Sequence, residues 1–100
     1  MLFQMVNAHT PEDCPALKPD GLKTFAAVVK SAQENGIRIH SMHVAPWEHT
    51  IYGLLETDNA ESLDLWFEPL SPFGIIKVSP GTDVLGAMAR RTKTSPGIAV

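Results

Sequence analysis

Two stretches of helical periodicity, each set between stretches of strand character, constrain this chain more than any other feature. Residues 21 to 35 place Leu22, Phe25, Ala26, Val29 and Ala32 at three- and four-residue steps, so one stripe is apolar while Lys23, Lys30, Gln33 and Glu34 fall off it. Asp20 suits the N-cap, and "NG" at 35–36 ends the helix, with Gly36 able to take the left-handed cap. A second helix opens on a capping box of Asp58 and Glu61 and runs to about Glu68, before Pro69. Its buried face is expected at Ala60, Leu63, Trp66 and Phe67. Strand character precedes, separates and follows these helices, at 2–8 "LFQMVNA", 37–45 "IRIHSMHVA", 50–57 "TIYGLLET" and 73–79 within "SPFGIIKVSP". "PWEH" reads as a hairpin turn. "TDVLGAMARRT" reads as a short last helix, capped by Thr82 or Asp83.

The order β-α-β-β-α-β predicts an α+β, ferredoxin-like fold. Each helix has one apolar stripe, so both cover the same face of a four-stranded antiparallel sheet. Right-handed crossovers then give strand order 4-1-3-2. The other face is expected to dimerise. Strand one is apolar on both sides, with Phe3 and Met5 against Leu2, Val6 and Ala8, and strand three sets Ile51 and Leu55 against Tyr52 and Leu54. A sheet wet on one side alternates more cleanly, which points to an isologous homodimer. Residues 1–92 form the expected domain and 93–100 a flexible tail.

With 8 basic and 11 acidic residues the net charge is -3, which argues against nucleic-acid binding. The basic group Arg90, Arg91 and Lys93 reads as a helix C-terminus complementing the dipole. Cys14 is the single cysteine, so no internal disulfide can form, in keeping with a reducing compartment. The N-terminus lacks signal-peptide character and no apolar run approaches spanning length. The expected location is the cytoplasm, with no membrane partner.

The topology concentrates chemistry at one rim. Strands one and three are antiparallel neighbours, so the end of one lies beside the start of the other. His9 follows strand one within "HTPEDCP", and His49 precedes strand three. Strand two ends at the same rim with His43, and Glu12, Cys14 and Glu48 lie on the adjoining loops. His40 differs from His43 in strand parity and is set aside. Imidazole and thiolate suit Zn, Ni, Cu or Fe, and carboxylates can complete the shell. The expected metal set is therefore His9, Cys14, His43, Glu48 and His49, although no C-x-x-C or H-E-x-x-H spacing is present. The plainer reading makes His9 a strand-end cap, Cys14 a small core filler, Glu48 and His49 a solvated turn, and Trp47 part of a dimer seam. A Cys14 nucleophile activated by His9 or His49 has no evident oxyanion donor beside it.

With order, size and two-sided sheet in place, the chain resembles the dimeric α+β barrel superfamily. That group includes antibiotic-biosynthesis-type monooxygenases, muconolactone isomerases, haem-degrading monooxygenases and stress-responsive barrel proteins. "HTPEDCP" and "APWEHTIY" further resemble a group of small bacterial and archaeal proteins of this fold that combine H-T-x-E-x-C-P with A-P-x-E-H-T-x-Y. This likeness supports the rim site and implies no reaction. The haem-degrading members use a first-strand asparagine, a second-helix tryptophan and a later histidine as iron ligand. Asn7 and Trp66 match, but no histidine follows Trp66, so that activity is set aside.

The first expectation is a small dimer binding a metal ion or small ligand at the rim. The rival is a cofactor-independent monooxygenase- or isomerase-type enzyme. There, Asn7, Tyr52, Trp66 and Phe67 line a sheet-helix cavity and His9 is the general base. A purely structural dimer is the third.

Overall fold

The computed structural model describes residues 1–94, with side chains described as far as Arg91. Strands β1 (Leu2–Ala8), β2 (Arg38–Ala45), β3 (Thr50–Glu56) and β4 (Ile75–Gly81) form one antiparallel sheet in the order β2-β3-β1-β4. This is the expected order read from the other edge. Helices α1 (Gly21–Lys30) and α2 (Ala60–Phe67) pack on one face, and α3 (Val84–Thr94) ends the described chain. The expected tail at 93–100 thus begins inside α3, and 95–100 lies outside the described residues.

Alternation along β1 builds the core. Phe3, Met5 and Asn7 turn inward, joined by Leu55 from β3, Val28 from α1 and Leu63, Trp66 and Phe67 from α2. Met5 and Leu55 are completely buried. The opposite face carries Leu2, Val6, Tyr52, Leu54 and, from β4, Ile75. No helix covers it among the described residues.

Three local expectations are corrected. Helix α1 stops at Lys30 rather than 35, because the Ser31 hydroxyl donates to the Val28 carbonyl at 2.8 Å and the Asn35 amide to the Ser31 carbonyl at 2.8 Å. Such local bonds compete with helical ones. A 3-10 turn, Gln33–Asn35, then runs to Gly36 with φ 72°. Helix α2 is capped by Asn59, whose Oδ1 accepts from Glu61 N at 3.0 Å, while Asp58 lies 3.8 Å from the N-terminal amine. Asp20 does precede α1, but in a left-handed conformation (φ 58°) with no side-chain capping bond. Asp83 caps the start of α3 as expected, accepting from Gly86 N at 3.1 Å.

Candidate metal centre

The β1–β3 ladder brings the two distant histidines together. Ala8 pairs with Thr50, and one step beyond, His9 N donates to the His49 carbonyl at 3.1 Å. The rings meet edge to face, with centroids 5.6 Å apart. His49 adopts φ 51°, uncommon for a residue with a side chain, where it closes the 3-10 turn Pro46–Glu48. That backbone turn directs its ring to the helix side.

Asn7 fixes the state of His9. It is 1% exposed, and its Nδ2 donates to the Phe73 carbonyl at 2.9 Å. Its Oδ1 stands 2.8 Å from His9 Nδ1. With the amide orientation set by Phe73, Oδ1 can only accept, so Nδ1 carries the proton. The Nε2 lone pair is left free. Burial, and secondarily the neighbouring His49, hold the His9 pKa below its usual 6.5, partly opposed by Asp13. The neutral imidazole that results is the form a metal ion requires.

Cys14 arrives by a different route. Thr10 caps a 3-10 turn, Pro11–Asp13, its Oγ1 accepting from Asp13 N at 3.3 Å, and Cys14 N donates to the Pro11 carbonyl at 3.4 Å. The next residue, Pro15, is buried against the start of α1. A side chain at Gly21 would strike the Pro15 carbonyl oxygen, so glycine alone permits this approach. Gly74 does the same for His9. With φ 100°, it lies so close that a Cβ would fall 2.7 Å from His9 Cβ and collide with the Ala8 carbonyl.

Ligand atoms of His9, Cys14 and His49 all lie within 4.8 Å of one another. Around a tetrahedral ion with bonds of about 2.0–2.3 Å, such atoms stand roughly 3.4–3.6 Å apart. Closing by up to about 1.4 Å would therefore complete three positions of a tetrahedron. The trio borders a cavity of about 500 Å³, walled by α1 through Leu22, Phe25 and Ala26 and by the sheet through Val44 and Ile51.

Of the five residues expected to ligate, the structure brings three together and leaves His43 and Glu48 apart. His43 pairs with Tyr52 in the ladder and so faces the uncovered side, stacked on that ring at 5.3 Å. Glu48 accepts from Tyr52 Oη at 2.9 Å, a bond that holds the phenol pKa above its usual value. Tyr52 consequently does not line the sheet-helix cavity. Neither do Trp66 and Phe67, which are core residues; Trp66 Nε1 donates to the Val28 carbonyl at 2.7 Å. Asn7 is inward-facing as expected, but it contacts His9 rather than open space. Trp47 is 98% exposed. His40, set aside on parity, also reaches the uncovered face, because a bulge between Ile39 and Ser41 resets the alternation, and its Nε2 meets Glu56 at 2.7 Å. The cavity residues on α1 went unassigned because their apolar spacing reads as core. Leu22 is nevertheless 63% exposed.

The fold is similar to that of a crystal structure of the protein SCO4226 from Streptomyces coelicolor A3(2), with 20% sequence identity and a TM-score of 0.53 over 83% of this chain and 100% of that one. That likeness concerns the fold. No curated protein matches the sequence. A family model, the domain of unknown function DUF3303, matches residues 1–94. Among the described residues no helix is long and apolar enough to cross a membrane.

Proposed function

We propose that this chain, which belongs to the DUF3303 family, is a small homodimeric protein that binds a transition-metal ion through His9 Nε2, Cys14 Sγ and one nitrogen of His49. The observation that carries this reading is the meeting of three ligand atoms within 4.8 Å, two from the β1–α1 connection and one from the turn before β3. Asn7 supports it by fixing one tautomer, as hydrogen-bonded partners of ligating histidines commonly do. Two imidazoles and a thiolate suit Zn, Ni, Cu or Fe. A bound ion would supply Lewis acidity at an open position. The need for a reduced thiol at Cys14 fits a cytoplasmic setting.

Pairing of two copies is supported by the uncovered sheet face, where Leu54 and Ile75 are exposed, and by α3, where Val84, Leu85 and Met88 are exposed. The radius of gyration is 16.2 Å, against about 13 Å for a compact domain of this length.

The test is cobalt loading of purified protein, with metal content and mass in solution measured on the same sample. One ion per chain, a thiolate-to-cobalt charge-transfer band and a dimeric mass are expected. His9→Ala, His49→Ala and Cys14→Ser should each abolish the band, while His43→Ala and Glu48→Gln should leave it intact. Failure to take up cobalt, or equal loss in His43→Ala, refutes the metal site. A monomeric mass refutes the pairing.

A second reading keeps His9 as a general base acting on a small molecule in the cavity. It is favoured by the lowered His9 pKa and by the ring's place on the cavity wall. It expects no metal uptake and a copurified organic ligand.

A further inference from the structure

This inference rests on the metal-binding reading and concerns what the ion would face. Three protein ligands leave one position of a tetrahedral ion, and the cavity lies in front of the trio. Its volume, about 500 Å³, falls in the usual range for small-molecule sites, roughly 300–1,000 Å³. Apart from the ligating residues, the wall is proline, alanine, leucine, phenylalanine, valine and isoleucine. Among those lining residues none offers a side-chain charge, hydroxyl or amide. An occupant apolar along its body therefore fits this wall, with its polar group satisfied at the metal end.

Charge decides what that group is. A divalent ion with one thiolate and two neutral imidazoles keeps one net positive charge, and a charge beside an apolar wall requires a counter-ion. Asp13 is the carboxylate felt by His9, but Lys18 Nζ lies 3.5 Å from it and offsets it. The missing negative charge is thus left to the occupant. A carboxylate is ionised throughout the neutral range and brings that charge without having to release a proton on binding. A second observation points the same way. Leu22, from α1, and Val44, from β2, both border this space while 63% and 56% exposed. Apolar surface left open in this manner marks a binding site.

We propose that the site takes a medium-chain carboxylate, its head ligating the ion and its hydrocarbon body filling the space between α1 and the β2–β3 hairpin. The probe is octanoate added to the cobalt-loaded protein, followed by the visible cobalt absorption. A saturable shift is expected, at least tenfold tighter than the shift produced by acetate. Octanol and octylammonium, which supply the body without the anion, should produce none. Ala26→Trp fills the space and should remove the octanoate response while keeping the acetate response and full cobalt content. Should that variant fold poorly, Val44→Asp sets a repelling charge at an already exposed position and should weaken octanoate at least tenfold. Full cobalt content with octanoate no tighter than acetate, or indifference to both substitutions, overturns the carboxylate assignment alone. Absence of cobalt uptake overturns the metal site and this inference with it.

Discussion

Replacing Asn7 by leucine separates the scaffold from the site more sharply than any ligand substitution. Leucine shares the branched shape of asparagine and is the larger of the two, so the pocket beneath β1 stays filled. Two bonds are lost, the 2.9 Å donation to the Phe73 carbonyl and the 2.8 Å contact with His9 Nδ1. The first loss concerns the fold. A buried acceptor deprived of its donor costs about 1–3 kcal/mol. For a domain of this size each kcal/mol lowers the melting temperature by roughly 4–8 °C. The second loss concerns the site. Removing the partner of a ligating histidine weakens metal binding about 10- to 100-fold, equivalent to about 1.4–2.8 kcal/mol. Urea unfolding measures the first, and competition for zinc against a coloured chelator measures the second. Nitrogen-15 NMR of the metal-free imidazoles checks the cause. In the parent protein His9 should hold its proton on Nδ1, and in Asn7→Leu it should distribute between both nitrogens. Metal affinity within threefold of the parent, with the Nδ1 proton unmoved in a folded variant, would refute the argument that Asn7 orients this ring.

The remaining expectations are simpler. Gly74→Ala sets a methyl group against the Ala8 carbonyl and His9 Cβ at a φ of 100°, so it should cost more than the roughly 1 kcal/mol typical of a misplaced side chain at positive φ and weaken cobalt binding, read by unfolding and titration together. The Glu56 carboxyl is held below its usual 4.5, chiefly by its bond to His40. The stability it contributes is therefore present above pH 4.5 and is lost as the pH falls through the depressed folded value. Carboxyl carbon-13 NMR should find that value, and His40→Ala should raise it toward 4.5. An unchanged Glu56 titration would contradict the bond. Met5→Ala, at a completely buried position, should cost about 2–5 kcal/mol in denaturant unfolding.

The architecture was legible because each helix shows its stripe and each strand its ends. Crossover handedness then left a single strand order, and that order carried His9 to His49 without any local metal motif. Parity was legible in β1 and β3, where alternation is regular, and failed in β2. There the inward residues Ile39 and Met42 are three apart, a step that only a bulge allows. Reading that step as a bulge would have put His40 and His43 on the same, uncovered side and removed His43 from the ligand set. Glu48 was misjudged for another reason. Its side chain follows a turn whose direction depends on the left-handed backbone of His49, and sequence does not announce that conformation in histidine. The Asn59 cap and the early end of α1 turn on single hydrogen bonds between neighbours, below the resolution of periodicity. The cavity was hidden for the opposite reason, since Leu22 and Val44 look like ordinary core until neighbouring elements are seen to stand off from them.

The backbone bond from His9 to His49 prolongs a ladder that belongs to the central strand, paired on both its edges. The sheet itself thus holds both imidazoles side by side, unlike the ligands of small zinc modules, which are gathered by the metal. If the rim binds an ion as proposed, stripping it with a chelator should leave the far-ultraviolet circular dichroism of the sheet unaltered, because the fold would not depend on the ion.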